Sequence, residues 1–246
     1  MITSNDPDYI NTKLIRQGKA EMHPVMDLLA EWVGQTYGAR PLNIELYQPF
    51  EDQVFLQVIF QYPNGCKSIS DIWPNGSCAG VEKYDAMAIT AKLKEILESV
   101  REELDFPKIV VRIVGSGKVK IRYFQRNDIL KIGSVICNNF FTVALNDVCD
   151  SIANRELESL VERIGHPSLW KILRFGRRVV FMVHTEEQKR RVIKKDKVAV
   201  WTRDFIELAR HYDEFGYLTE QTLSIEIDTR ERFKKEYNEN MFYYFR

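Results

Sequence analysis

Cysteine and histidine are scarce in this sequence, and the spacings that usually mark metal or redox sites are missing. The 246 residues include four cysteines and four histidines, and none of them forms a CxxC, HExxH or HxH motif. So few cysteines in a chain of this length do not suggest a disulfide scaffold, and a reducing cytoplasm is the expected environment. We therefore predict no metal site, no cofactor and a cytoplasmic location.

Recognisable catalytic and phosphate-binding motifs are missing as well. GxxxxGK[ST] does not occur, and Gly115-Ser116-Gly117 joins two predicted strands, whereas a dinucleotide fingerprint opens a helix. Cys149 and His166 could meet in space as a catalytic pair, but nothing in their spacing favours this, and buried cysteines usually act as small apolar residues. The acidic strand end Glu226-Ile227-Asp228 lacks the lysine of a restriction-type nuclease core. We expect a protein that is not an enzyme.

Long apolar runs are also lacking. The longest stretch without a charged residue runs from Ile132 to Asn146, which is shorter than the roughly 20 apolar residues that a membrane helix needs. The first ten residues, MITSNDPDYI, lack the basic leader and apolar core of a secretory signal. With 45% hydrophobic and 28% charged residues, the composition is typical of a soluble globular protein.

The net charge is zero, but the charge is unevenly distributed. Residues 1–104 contain nine Lys/Arg and 15 Asp/Glu, whereas residues 171–203 contain 11 Lys/Arg and three Asp/Glu. The residues of the basic segment that could bind nucleic acid are Arg177, Arg178, Lys189, Arg190, Arg191, Lys194 and Lys195. The run from Lys189 to Lys195 spans almost two helical turns, so its charges point to more than one face, and no aromatic residues are interleaved with them. A solvated helix surface is favoured, and a nucleic-acid site is the alternative.

The segment YPNGCKSISDIWPNGSC contains the pattern aromatic-Pro-Asn-Gly twice, at Tyr62 and at Trp73. Proline presets φ, asparagine tolerates a left-handed backbone and glycine follows without steric cost, which is typical of β-turns. Cys66 and Cys78 supply only two of the four ligands that zinc normally takes, and no histidine is near them. We predict two turns that bracket a short strand from Cys66 to Trp73, and no metal site.

The periodicity of apolar residues predicts the remaining elements. In the first part, helices are expected over 25–33 and 86–104, strands over 43–47 and 53–61, and a hairpin from IVVRIV and KVKIRY. In the second part, strands are expected over 131–146, 177–183, 198–201, 223–227 and 241–246. Helices are expected over 157–164 and from Thr202 to His211, and a short helix is expected after the capping box that starts at Thr185.

These patterns predict an α+β fold. Residues 1–130 are expected to form an antiparallel meander sheet flanked by helices, and residues 131–246 a smaller α/β domain. No Gly/Ser/Pro-rich linker lies near the boundary, so close packing of the two parts is expected.

Acidic and aromatic residues are mixed around the predicted strand ends of the first part. They are Glu45, Tyr47, Glu51, Asp52, Tyr62, Asp71 and Trp73. Such a mixture can recognise a basic partner protein. The competing interpretation is that the rings belong to the core and the carboxylates to the solvated surface.

The order of elements over residues 20–130 carries a family resemblance. An amphipathic helix with Trp32 is followed by the strand NIELY, the apolar strand VFLQVIFQY, a turn-rich segment with Trp73 and the helix AITAKLKEILESVREE. The hairpin IVVRIVGSGKVKIRYFQRNDI closes the region and ends in Tyr123-Phe124 with Asp128. In this order and texture the region resembles the YezG-type family of bacterial immunity proteins. Phe106-Pro107 stands where the family usually has a tryptophan, and the last hundred residues lie outside the resemblance.

The resemblance implies a non-enzymatic cytoplasmic protein that binds a cognate toxin and masks its active site. The toxin is often a nuclease delivered by a neighbouring cell. On this interpretation Glu45, Glu51, Asp52 and Asp71 attract the toxin electrostatically, and Tyr47, Tyr62 and Trp73 anchor it.

Overall fold

The computed structural model describes residues 3–50, 53–69, 81–100, 107–112 and 119–246. The chain forms two compact units, Met1–Val143 and Ala144–Arg246. The division falls later than the boundary predicted after residue 130, because the strand that follows this point pairs within the first unit.

The first unit contains a five-stranded mixed sheet. Its strands are β1 (Asn43–Phe50), β2 (Gln53–Phe60), β3 (Lys108–Arg112), β4 (Val119–Tyr123) and β5 (Ile132–Asn139). Their order is β4-β3-β1-β2-β5. β1–β2 and β3–β4 are antiparallel pairs, whereas β1–β3 and β2–β5 are parallel. The antiparallel pairing of the two predicted hairpin strands is confirmed, and their turn at Gly115-Ser116-Gly117 lies outside the described residues. β2 lies inside the sheet between β1 and β5, in agreement with its apolar residues on both faces, but the sheet is mixed and not an antiparallel meander.

Helices cover this sheet, and two of them pack apolar stripes on the face that Ile44, Leu46, Leu56 and Val58 form. The helices are α1 (Pro7–Arg16), α2 (Pro24–Tyr37), α3 (Pro63–Cys66) and α4 (Lys83–Ser99). Pro24 begins α2 with a preset φ, and Gly38 ends it in a left-handed conformation with φ 78°. The main core contains Leu29, Val33, Ile44, Leu46, Val54, Leu56, Val58, Ile89 and Leu93. The predicted helix over 25–33 is confirmed. The helix predicted over 86–104 is confirmed as far as Ser99, where it ends, and residues 101–104 lie outside the described part of the chain.

The first aromatic-Pro-Asn-Gly sequence forms one turn of helix, and this corrects the predicted strand from Cys66. Pro63–Cys66 is helical after Tyr62, and a Cβ on Gly65 would lie 2.5 Å from the Phe60 ring. Glycine is therefore required for close packing. The second such sequence, at Trp73, lies outside the described residues. Cys66 is disulfide-bonded, which the sequence analysis did not expect.

The second unit contains a three-stranded sheet in the order β6-β7-β8. β6 (Leu169–Phe175) is antiparallel to β7 (Arg178–Val183), and β8 (Ser224–Thr229) is parallel to β7. The helices of this region of the chain are α5 (Phe140–Ser151), within which the two units divide, α6 (Asn154–Ile164), α7 (Glu186–Lys194), α8 (Lys197–Ala209), α9 (Arg230–Tyr237) and α10 (Met241–Tyr244). Together with the first unit, this arrangement confirms the α+β class.

Two predicted strands of the second part are helical and a third is helical beyond Asn139, for local reasons. The stretch predicted as a strand over 131–146 ends at Asn139, whose side chain accepts a hydrogen bond from the Thr142 N–H and starts α5. VAVW belongs to α8, because the buried residues Trp201, Phe205 and Ala209 recur every four residues over a longer window. Thr202 therefore lies inside this helix and is not its cap. MFYYFR forms α10, since Asn240 caps it.

The buried carboxylate of Asp228 holds the end of the chain against β8. Its oxygens accept hydrogen bonds from the Tyr244 hydroxyl (2.9 Å) and the Thr229 N–H (2.8 Å). Arg232 (3.2 Å) and Lys189 (3.7 Å) neutralise its charge. Burial raises the pKa of Tyr244, with the hydrogen bond to Asp228 as a further cause, so its hydroxyl stays a donor.

The substitution Tyr244→Phe tests the hydrogen bond between Tyr244 and Asp228. Loss of the hydroxyl removes one hydrogen bond to a charged group, and we expect the free energy of unfolding of the second unit to fall by about 1–2 kcal/mol. Native-state hydrogen exchange of the β8 amides measures the loss. Tyr243→Phe is the matched control, because the neighbouring Tyr243 side chain is 58% exposed. Equal protection of β8 in both variants would contradict the assignment.

Candidate protein-binding surface

Glu45, predicted to attract a partner, is engaged inside the first unit, and this corrects its assignment. The side chain is half-buried, and its Oε1 accepts hydrogen bonds from Asn43 (2.8 Å) and Asn11. Burial raises the pKa of Glu45, although the hydrogen bonds from the two asparagines oppose the shift. The cause is strand alternation: Ile44 and Leu46 face the apolar core, so Glu45 faces the side of the sheet that α1 covers.

A chain of polar contacts joins α1 to this face of the sheet. Asn43 donates to Thr12 (3.0 Å), and Gln57 donates to Asp8 (2.6 Å). Asn138 of β5 in turn donates to Gln57 at 3.1 Å. These five side chains are all buried. Because buried polar groups are stable only when hydrogen-bonded, these contacts fix the position of α1.

The other predicted partner-binding residues do not form one surface in the described part of the chain. Tyr47 is half-buried and packs on Phe55, with ring centroids 5.5 Å apart. Tyr62 is 47% exposed and its ring lies 5.6 Å from that of Phe141. The remaining four, Glu51, Asp52, Asp71 and Trp73, lie outside the described residues. Of the seven predicted residues, Tyr62 is therefore the one that the described structure presents as exposed.

The basic segment is partly neutralised by carboxylates. Arg178 forms a bidentate contact with Glu226 at 2.7 and 2.9 Å. Lys189 pairs with Asp228, and Arg191 with Glu187. Arg190, Lys194 and Lys195 are exposed, and Arg177 is half-buried. The predicted spread of these charges over several environments agrees with their positions.

Aromatic residues lie next to this segment, which the sequence analysis did not foresee. The Arg178 guanidinium lies 5.6 Å from the Tyr244 ring centroid and 5.1 Å from that of Phe245. Phe245 also stacks on Phe175 at 5.6 Å. These contacts come from opposite ends of the second unit's sequence, so no local pattern could have revealed them.

The candidate nucleophile Cys149 is unsuited to its role. It is completely buried, and burial raises the pKa of its thiol to about 12. The thiolate is therefore scarce at neutral pH. The His166 ring packs 5.3 Å from Trp201, and its Nδ1 accepts a hydrogen bond from the Ser168 N–H. Within the residues that the structure describes, no cluster of His, Cys, Asp and Glu could hold a metal ion.

A groove beside α4 was missed by the sequence analysis. It has a volume of about 920 Å³ and lies between α4, β5 and residues near Ile129. The wall from α4 consists of Lys83, Ala86, Met87, Thr90, Ala91 and Lys94. These positions repeat at helical spacing beside the core stripe that contains Ile89 and Leu93, so the sequence does hold a signal for a second face.

Large apolar side chains remain exposed at this end of α4. Met87 lines the groove and is 60% exposed, and Tyr84 on the preceding turn is 84% exposed. Isolated exposed apolar residues are common on protein surfaces, but a groove of this size with such residues at its edge is typical of a binding site.

Glu45→Gln tests the burial of this carboxylate. Because the folded-state pKa is raised, Glu45 lowers the stability of the fold progressively as pH rises above its ordinary pKa of 4.5. Glutamine keeps the acceptor oxygen and cannot ionise, so the variant should be more stable at about pH 7 and equal to the wild type at about pH 4. Urea denaturation at the two pH values measures the difference. The exposed Glu31→Gln is the control, and a destabilised Glu45 variant at neutral pH would refute the prediction.

No helix in the described ranges is long and apolar enough to cross a membrane. No protein-family model matches the chain, no curated protein matches it, and no solved structure is significantly similar to it. The resemblance to the YezG-type family therefore depends only on the residues quoted above.

Proposed function

We propose that this chain is an immunity-type protein that binds a cognate bacterial toxin in the cytoplasm. It neutralises the toxin by covering its functional surface and catalyses no reaction of its own. The family resemblance supplies the class of partner, and the groove beside α4 supplies the contact surface.

The observation that carries the proposal is the exposed outer face of α4. The helix is anchored by Ile89 and Leu93, which are fully buried, so its outer face is held on a rigid support. Tyrosine is enriched among the residues that dominate binding energy at protein interfaces. Methionine is flexible and polarisable, and it adapts to the shape of a partner. Tyr84 and Met87 therefore suit a protein-binding surface.

The acidic residues have a smaller role in this proposal than the sequence suggested. Glu45 is hydrogen-bonded on the face of the sheet that α1 covers, so it is not part of the proposed interface. Tyr62 remains a candidate anchor because it is exposed. The cytoplasmic location depends on the resemblance, since the disulfide at Cys66 is more typical of an oxidising compartment.

Met87→Asp should abolish neutralisation, because a carboxylate at the groove would have to lose its hydration when the toxin binds. The assay is growth of cells that produce the cognate toxin together with either form of this protein. Calorimetric titration with the isolated toxin should show binding at least about tenfold weaker.

Leu28→Asp is the matched control for this assay. Leu28 is 52% exposed and lies on α2 of the same unit, away from the groove-lining set. We expect this variant to protect cells as well as the wild type does. If Met87→Asp protects equally well, α4 is not the contact surface.

Nucleic-acid binding through the basic segment is the second candidate. Exposed Arg190 and Lys194 on α7, and the aromatic residues around Arg178, favour it. The ion pairs of Lys189 and Arg191 count against it, because they reduce the free positive charge.

An electrophoretic shift assay at two salt concentrations separates the two candidates. Our proposal predicts no retarded band with single- or double-stranded DNA. A band that weakens steeply with salt and is lost in the variant Arg190→Gln with Lys194→Gln would favour nucleic-acid binding. Lys234→Gln with Lys235→Gln, two exposed residues of α9, is the control of equal charge change.

A further inference from the structure

The charges of the α4 groove have one sign. Lys83 and Lys94 stand at the two ends of its helical wall, and no carboxylate lies among the lining residues that the structure describes. Both lysines are exposed. Lys94 has a loose contact with Glu98 at 3.9 Å, between two largely exposed side chains. Such a contact contributes little, so both ammonium groups are available to a ligand.

The space between the two lysines is apolar and open. Ala86 and Ala91 have short side chains, so the helix wall is low there, and Met87 stands at the edge. The opposite wall includes Ile132 and Val135. An apolar group that enters this space leaves water and gains about 25 cal/mol for each Å² that is buried.

The length of the groove defines the segment that it can hold. Lys83 and Lys94 are separated by 11 helical steps of about 1.5 Å, or roughly 16 Å. An extended chain covers this distance in about five residues at roughly 3.3 Å each. The Val135 carbonyl already accepts a hydrogen bond from the Val81 N–H, so this carbonyl is not open to added strand pairing.

We propose that the α4 groove binds an extended segment of the partner protein that has apolar side chains between two carboxylates four or six residues apart, an even spacing that puts all of them on one side of the segment. This inference rests on the proposed function and gives the chemistry of its contact. The sequence suggested that acidic residues of this chain attract a basic partner. The groove instead presents positive charge and would attract an acidic segment.

Fluorescence anisotropy with two labelled, capped heptapeptides, EALALAE and KALALAK, tests the inference, because their charged and leucine side chains lie on one side of an extended chain. We expect the acidic peptide to bind about two- to thirty-fold more tightly than the basic one, as two exposed ion pairs allow. The variant Lys83→Glu with Lys94→Glu should reverse this preference. In protein labelled with ¹³C at the methionine methyl groups, the acidic peptide should shift the Met87 signal, which is assigned by its absence in Met87→Leu.

The control is Lys67→Glu with Lys92→Glu, which changes the net charge equally at residues outside the groove lining. This variant should keep the preference for EALALAE. Equal binding of the two peptides, or an unshifted Met87 signal, would overturn the inference. A Met87 signal that shifts with protein concentration alone would also overturn it and would identify a second copy of this chain as the occupant.

The toxin assay distinguishes failure of this inference from failure of the proposed function. If the peptides do not discriminate but the wild type protects cells and Met87→Asp does not, the contact surface is right and its chemistry is wrong. If the wild type does not protect cells, the proposed function itself fails.

Discussion

β2, an inner strand of the first unit's sheet, has to be covered on both faces, and the rest of that unit depends on this constraint. The buried residues of β2 include Leu56 and Val58 on one face and Gln57 on the other. On the first face, α2 and α4 supply an ordinary apolar core. On the second face, α1 covers the strand through hydrogen bonds from and to amide, hydroxyl and carboxylate groups. The two faces differ in chemistry, and directional polar contacts fix the register of α1 more narrowly than apolar packing would.

This division of roles explains why α4 can offer a binding surface. Its core face is occupied by Ile89, Leu93, Ile96 and Leu97. The adjoining face has small and intermediate side chains that leave a groove against β5. A rigid helix holds these side chains in place before a partner arrives, so less conformational freedom is lost on binding.

The sequence predicted the elements whose signals are local. Three such signals each lie within a few residues, and the structure confirms each of them. They are the apolar stripe of α2, the apolar alternation in β8 and the capping box before α7. The stretches that became α8 and α10 were predicted as strands, because short runs of apolar residues fit both periods. Their helical form becomes evident only over a longer window or through the Asn240 cap.

The site was less predictable than the fold. Glu45 and Arg178 look like ordinary surface charges in the sequence, yet Asn43, Asn11 and Glu226 engage them. No pattern in one segment can reveal a partner 48 residues away, as for Arg178 and Glu226. The groove could have been recognised in part from the helical spacing of Lys83 and Lys94, but its opposite wall comes from β5 and required the three-dimensional structure.

The late position of β8 and of the Asp228–Tyr244 contact in the sequence has a consequence for biosynthesis. The smaller apolar cluster of the second unit joins Leu173, Val180 and Met182 to Phe233 and Tyr244. Phe233 is synthesised 50 residues after Val183, the last residue of β7, and Tyr244 follows later. Until then the β6–β7 hairpin exposes apolar surface on this face. This hairpin of the nascent chain therefore needs protection from aggregation, for example by a chaperone that binds exposed strands.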